Sequence, residues 1–589
     1  MELISTTDTF TVSLENQRSV LLTFPWFVSQ AKYPPRPANR IMPLINGEKA
    51  FEAVHKAIVG AQHSVEIINW GFDPSMNLLR IGKKEDWGDP LGTLLKAKAR
   101  GDEKSPPVDI RILIWKNALA NFVENNIHGD GLIGSGGSAM GAGKGSTAAY
   151  SEGGTDKQGY NEYGSNVFNS AGVRNHDPEA AKYNRDWFKD LPEHLTFRTR
   201  DYSLLDRAKI VLEQLRNGSA GVSQTAAMSL FASHHQKTIL VDYEHPEIAT
   251  GFVMGHNLLR NYWDTDKHEF HSDARQGFAP WQDLSCQVWG PVLHDLNENF
   301  MEAWQKSDGW FTSSRSWREK RAAIPSEAFI KPALAKGDTY PAQICRTQSQ
   351  EDERSILDAY RLGIGNARFY MYFENQYFRY EAFAELMRQV RRKLKGRGWP
   401  SDFYVFVVTS PPDSKGRTNT YEMLAALGQG ERMPEYHRDT EKKPDPDAEL
   451  RKIDLDGVNI HVCTLQVDGE VLVDGKKERK YNDIYVHSKL LLVDDVFFTL
   501  GSANVNARSM EGDSELNIAC PSPELTKLWR KSLWNIHTKK IPNSDIKLEF
   551  DRWQKVVDVN GLAKKDGAEL KGNIVNFHDA DKKSMAALD

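Results

Sequence analysis

One pattern is written twice in this chain, and it limits the fold more than any other feature. His235, Lys237 and Asp242 occur in HQKTILVD, and His487, Lys489 and Asp494 occur in HSKLLLVD. Each residue of the second triplet lies 252 positions after its counterpart (487 − 235, 489 − 237, 494 − 242). Asn257, in MGHN, answers Asn504, in GSAN, after a slightly longer loop. Alternate residues of a strand share a face, so the His and Lys of each copy point the same way. The nearly continuous apolar runs that follow, 238–241 and 490–493, predict strands covered on both faces. An imidazole and an ammonium opening a buried strand are costly without anionic partners, and a phosphate would serve. A His and Lys that merely sit at the wet end of a strand would explain one copy. They do not readily explain two copies in register.

The duplication extends further. Residues 61–72, AQHSVEIINWGF, can be laid on 367–378, ARFYMYFENQYF. From Ala61 to His235 is 174 positions and from Ala367 to His487 is 120, so the first half is longer by 54. A tract rich in Gly, Ser, Asn and Ala, from about Asn126 to Asp177, is close to that length and reads as a long insertion. Its Gly129-x-Gly131-x-x-Gly134 lies in a loop, and its Gly143-Lys144-Gly145 lacks the following Ser or Thr of a phosphate-binding loop, so neither is a nucleotide motif.

Strand and helix text alternate, as in an α/β layer. Asn46 is placed to cap a helix with Phe51, Val54 and Ile58 on one face, and strands are expected over 65–70 and 108–115 around a helix at 91–99. In the second half a helix is expected at 355–365. Another follows with Phe383, Leu386, Met387, Val390 and Leu394 inward and Arg388, Arg391, Arg392 and Lys395 on the solvated face. A buried strand is expected at 402–409, a polar loop at 411–450, and a docked or partly disordered tail after 545. The resulting division is an N-terminal segment 1–42, a first half 43–310, a linker 311–340, a second half 341–545 and a tail 546–589. Trp26 and Phe27 are expected to pack inside rather than enter a membrane.

A net charge of −5 argues against a general polyanion binder. Cys286, Cys345, Cys463 and Cys520 show no CxxC spacing and read as buried thiols, with neither a metal site nor a disulfide framework expected. The N-terminus lacks a basic run followed by an apolar core, and no segment reaches bilayer-spanning length, so synthesis in the cytoplasm is expected.

HxKxxxxD followed by a small-residue turn and Asn resembles the signature of the phospholipase D superfamily. Glu374-Asn375-Gln376-Tyr377-Phe378, Pro280-Trp281-Gln282-Asp283 with Trp289-Gly290-Pro291, and 508–515 (RSMEGDSE) resemble the family's neighbouring segments. Met254 departs from it, standing where the family has Gly before Gly255. The resemblance implies an α/β fold of two homologous α/β/α sandwich halves with mixed central sheets and one active site at their interface. It implies a catalytic set of His235, Lys237, Asp242, His487, Lys489 and Asp494, with His235 as nucleophile and His487 as acid and then base. Imidazole suits both roles because it titrates near neutrality. Lys237, Lys489, Asn257, Asn504 and Ser502 would hold the phosphate, with no metal and no cofactor. Asp283 is expected to orient His235 and Glu515 to orient His487. Asp242 and Asp494 fit a structural role better than a chemical one.

Within the superfamily the opening PWFV, INGEKAF and IINWGFDPSMNL look most like bacterial type VI secretion phospholipase D effectors. That resemblance implies a monomer acting on the phospholipid membrane surface of a target cell, in its periplasm or at its membrane. It also implies an immunity protein and a secretion spike component as partners, and no nucleic acid. Two alternatives stay open: a nuclease or other phosphodiesterase of the same fold, and a non-enzymatic lipid-binding delivery module.

Overall fold

A computed structural model of the chain describes residues 7–13, 19–115, 178–217, 232–307, 315–413, 416–436 and 457–581. The Gly-rich tract at 126–177 lies outside the described residues. The first half contributes β1 (Thr7–Ser13), β2 (Ser19–Pro25), β3 (Arg36–Ile45), β4 (Ser64–Asn69), β5 (Asp109–Trp115), β6 (Leu195–Arg200), β7 (Thr238–Val241), β8 (Thr250–Met254), β9 (Trp281–Gln282) and β10 (Leu284–Trp289). The second contributes β11 (Tyr340–Gln348), β12 (Glu353–Arg354), β13 (Tyr370–Asn375), β14 (Phe378–Arg379), β15 (Phe403–Val408), β16 (Val458–Val473), β17 (Lys476–Val486), β18 (Lys489–Val493), β19 (Phe497–Gly501), β20 (Val505–Asn506), β21 (Glu515–Cys520) and β22 (Ile574–Asn576).

The two halves repeat one strand order. The first runs β3-β10-β8-β7-β4-β5-β6. The second runs β11-β21-β19-β18-β13-β15-β16. In each, the last three strands are parallel and the rest antiparallel, so both sheets are mixed. The motif strands β7 and β18 sit in the middle, buried throughout, as their apolar runs require. β3 pairs antiparallel with β11 and joins the sheets edge to edge. One apolar core runs through the junction, from Leu240, Val253 and Leu293 to Ile344, Leu490 and Trp534.

Helices cover the sheets. Asn46–Gly60 buries Phe51, Val54 and Ile58 as expected. Asn46 opens this helix with a positive φ of 63°, and its side chain bonds Asp266 and the Asp283 amide instead of capping. Trp26 and Phe27 are buried, with Trp26 stacked on Phe497. β3 starts inside the segment read as N-terminal and supplies an edge strand.

Several other expectations change. Arg391 is buried within the helix Glu381–Gly396, because its guanidinium donates to the Ser401 carbonyl at 2.7 Å and closes the turn after the helix. The stretch read as a polar loop at 411–450 contains the helix Arg417–Ala426. The linker holds packed helices, Arg315–Ala322 and Ile330–Leu334, where Arg321 reaches buried Glu66 at 2.6 Å. The tail is docked: the helix Ile546–Asp566 buries Trp553, and β22 pairs with β16. Among the described residues no helix is long and apolar enough to cross a membrane.

Candidate active site

Each motif strand is pinned at its far end by its aspartate. Asp242 and Asp494 share a left-handed φ of 51°, which Asp tolerates, and each turns its carboxylate back on the strand start of its own half. Asp242 accepts from the backbone N–H groups of Gln62, His63 and Ser64, and Asp494 from those of Arg368, Phe369 and Tyr370. The two amide triplets are 306 positions apart, the offset of the 61–72 and 367–378 repeats. These carboxylates are taken up by backbone amides and fix the strands that carry the motif histidines and lysines. Asn69 and Asn375 do the same for the asparagine turns, accepting from the amides of Leu258 and Val505.

At the near ends the two motif histidines and the two motif lysines meet. His235 Nδ1 lies 3.0 and 3.1 Å from the Glu515 carboxylate oxygens, and His487 Nδ1 lies 2.7 Å from Asp283 Oδ2. The expected pairing is thus exchanged between the halves. The cause is backbone register: the His235 amide donates to the Ser514 carbonyl and the His487 amide to the Gln282 carbonyl, both at 2.8 Å. Each histidine therefore runs beside the residue that precedes the other half's carboxylate. With Nδ1 held by a carboxylate, Nε2 is the reactive nitrogen of both rings.

Lys237 and Lys489 each donate to the carbonyl of the histidine two residues before, and Lys489 also reaches Gln376 Oε1 at 3.1 Å. Ser502, read as a phosphate donor, instead gives its hydroxyl to Glu515 at 2.5 Å, and Ser509 donates to the other oxygen at 2.7 Å. Asn257 gives one amide N–H to the Tyr262 hydroxyl at 2.7 Å, and that hydroxyl is 3.5 Å from His487 Nε2. The Oδ1 atoms of Asn257 and Asn504 are buried with no protein partner. Gly255 stands at the position of Ser502, and a Cβ there would come within 2.3 Å of Asp283 Oδ1, so the shorter carboxylate needs glycine beside it.

A family profile described as Phospholipase D matches residues 415–567, which include the second motif. Phospholipase D alpha 2 of Oryza sativa subsp. japonica is 24% identical over 559 residues, covering 80% of this chain and 60% of the relative. Phospholipase D alpha 3 of Arabidopsis thaliana is 23% identical over 598 residues, covering 84% and 64%. The chain is thus similar to phospholipase D proteins along most of its length, and the family profile falls on its second motif. It spans about three-fifths of the length of these curated relatives. Among solved structures, phosphatidylserine synthase of Haemophilus influenzae Rd KW20 is similar at 12% identity and a TM-score of 0.41, covering 91% of this chain and 97% of that one.

The electrostatics of this site follow from burial. Burial, then Lys237 and Lys489, hold His235 well below the usual imidazole value, and burial with the same lysines does so for His487. Burial brings Lys237 down to about 8 and Lys489 well below its ordinary value, each opposed by Glu515 and Asp283. The same burial raises Asp283 and Glu515 to about 7, opposed by the two lysines. Burial thus pushes the two lysines and two carboxylates toward their neutral forms while they hold one another toward the charged ones, and it favours neutral imidazoles. Sequence reasoning passed over Ser509, Tyr262, Trp281 and Gln376. Gln376 was visible within ENQYF, but nothing in its spacing showed that it touches Lys489. Among the described residues the nearest approach to a metal-ligand set is His294, Asp295 and Glu298, where Arg36 already grips Asp295 at 2.6 Å.

Proposed function

We propose that the protein is a phospholipase D that hydrolyses membrane glycerophospholipids to phosphatidic acid and the free head group through a phosphohistidine intermediate. One observation carries this reading: two imidazoles, each with Nδ1 on a carboxylate, stand beside two lysines in one site. His235 Nε2 attacks phosphorus while His487 protonates the departing alcohol oxygen. Burial favours the neutral His487 ring, and the negative charge of a bound phosphodiester draws a proton onto it. Lys237 and Lys489 hold the non-bridging oxygens as charge shifts. Water, deprotonated by His487, then opens the histidine–phosphorus bond to give phosphatidic acid.

By its resemblance to type VI effectors, the protein acts as a monomeric antibacterial toxin on the membrane of a target cell and is neutralised by an immunity protein. The resemblance of residues 25–78 to those effectors supports that part, and it goes no further than sequence. The test is incubation with phospholipid vesicles plus a few per cent ethanol, with plasmid DNA as a parallel substrate. Phosphatidic acid and phosphatidylethanol from the vesicles support the reading. Cleavage of DNA with vesicles intact overturns it in favour of a nuclease.

A further inference from the structure

Beneath the second motif lies a buried carboxylate to which the mechanism above gives no role. Glu374, on β13, is fully buried and receives four hydrogen bonds, two on each oxygen. Oε1 accepts from Gln282 Nε2 and Ser488 Oγ, both at 2.7 Å. Oε2 accepts from the Tyr372 hydroxyl at 2.5 Å and faces His537 Nε2 at 2.8 Å. Every partner is itself buried. Gln282 directly precedes Asp283. Ser488 lies between His487 and Lys489.

The polarity of this network has one solution. An ionised carboxylate only accepts, so Gln282 must turn its NH2 toward Glu374 and its Oε1 toward His268 Nε2, 2.9 Å away. His268 is held from its other nitrogen by Asp264 at 2.9 Å, and Asp264 also accepts from the Trp281 amide at 2.8 Å. A continuous buried chain of polar groups therefore runs from Asp264 of the first half to His537 of the second. It passes under the His487–Asp283 pair.

Among the described residues the first half shows no equivalent at the corresponding positions. By the 306-residue offset the counterpart of Glu374 is Ile68, an apolar residue. By the 252-residue offset the counterpart of Ser488 is Gln236, which is met by the neutral amide of Asn299 at 2.8 Å. The duplication was thus kept in the motifs and abandoned in the layer below. A buried charge that is this fully satisfied rigidifies what it holds.

We propose that Glu374 is a positioning residue for His487: by gripping Gln282 and Ser488 on one oxygen it sets Asp283 and His487 against each other. It thereby fixes the proton that His487 delivers to the leaving oxygen. The inference rests on the phosphodiesterase reading, and its test separates the two. Single-turnover release of the leaving group is measured for wild type and Glu374→Gln on two lipids. One is a mixed natural phospholipid vesicle; the other is phosphatidyl-p-nitrophenol, whose phenolate leaves without a proton. The glutamine amide keeps one accepting oxygen and presents donors in place of the other, so the four-bond grip is broken.

Loss of an outer partner of this kind costs about 10–100-fold in activity. That loss is expected for release of natural head groups, with KM little changed and p-nitrophenol release near the wild-type rate. Ser488→Ala, which removes one of the four bonds, should show a smaller loss of the same selectivity, and it carries the test if Glu374→Gln does not fold. Equal slowing on both lipids would overturn the proposal, because a structural defect does not depend on the leaving group. Wild type inert on both lipids would instead overturn the phosphodiesterase reading.

Discussion

His235 and His487 differ in what holds them, and the difference predicts separable defects. Glu515 is braced by Ser502 and Ser509, while Asp283 is braced by the Leu284 amide at 2.8 Å. Glu515→Gln should weaken the nucleophile and slow formation of the intermediate for every leaving group, whereas Asp283→Asn should slow release of poor leaving groups most. Burst kinetics with lipids of graded leaving ability distinguish these outcomes, and identical profiles would argue against separate roles. Because burial and the lysines depress both imidazoles, the acid limb of kcat/KM should fall below the ordinary imidazole value of about 6.5. Lys237, brought down to about 8, loses its charge above that pH, so kcat/KM should decline there. A bound phosphate stabilises the ammonium, so the alkaline limb of kcat should lie higher; a pH–rate series in both parameters checks this. The identities of these residues were legible from the repeated register. Their partners were not: Asp283 lies 48 positions from His235, which suggests pairing within a half, and only the strand register across the interface reveals the exchange.

At the scale of elements, most of the sheet was readable because its strands carry continuous apolar runs and its two copies share offsets. The two aspartate clamps show why the motif is longer than its chemistry. Asp494→Ala leaves three backbone donors without their acceptor, and an orphaned buried donor costs about 1–3 kcal/mol. A loss of unfolding free energy of at least that size is expected in chemical denaturation, and an unchanged unfolding free energy would contradict the clamp. The C-terminal region was harder to read, since its apolar residues are sparse and their value depends on what they meet. Trp553 fills a buried aromatic cluster with Trp534, Phe406 and Tyr372. Trp553→Ala should therefore destabilise the protein by about 3–5 kcal/mol, read from chemical unfolding. Arg391 was misplaced for a related reason: a charged residue on a polar helix face was assigned to solvent, and its bond to Ser401 is a tertiary fact.

For the whole molecule, the exchange of carboxylates makes each half incomplete without the other, and both motifs lie on one chain. Mixing the His235→Ala and His487→Ala proteins should restore no activity; recovery would show a site shared between chains. In the proposed reaction lysines hold the phosphate, so chelators should leave turnover on neutral vesicles unchanged, and loss reversed by one divalent ion would show a metal-dependent step. In the proposed reaction one histidine forms a covalent bond to phosphorus while the other handles protons. The most direct test uses His487→Ala with phosphatidyl-p-nitrophenol, which needs no acid to leave and lacks a base to complete the reaction. Intact-protein mass spectrometry followed by peptide mapping should find a phosphatidyl group accumulating on His235. No adduct, or an adduct on any other residue, would contradict the account.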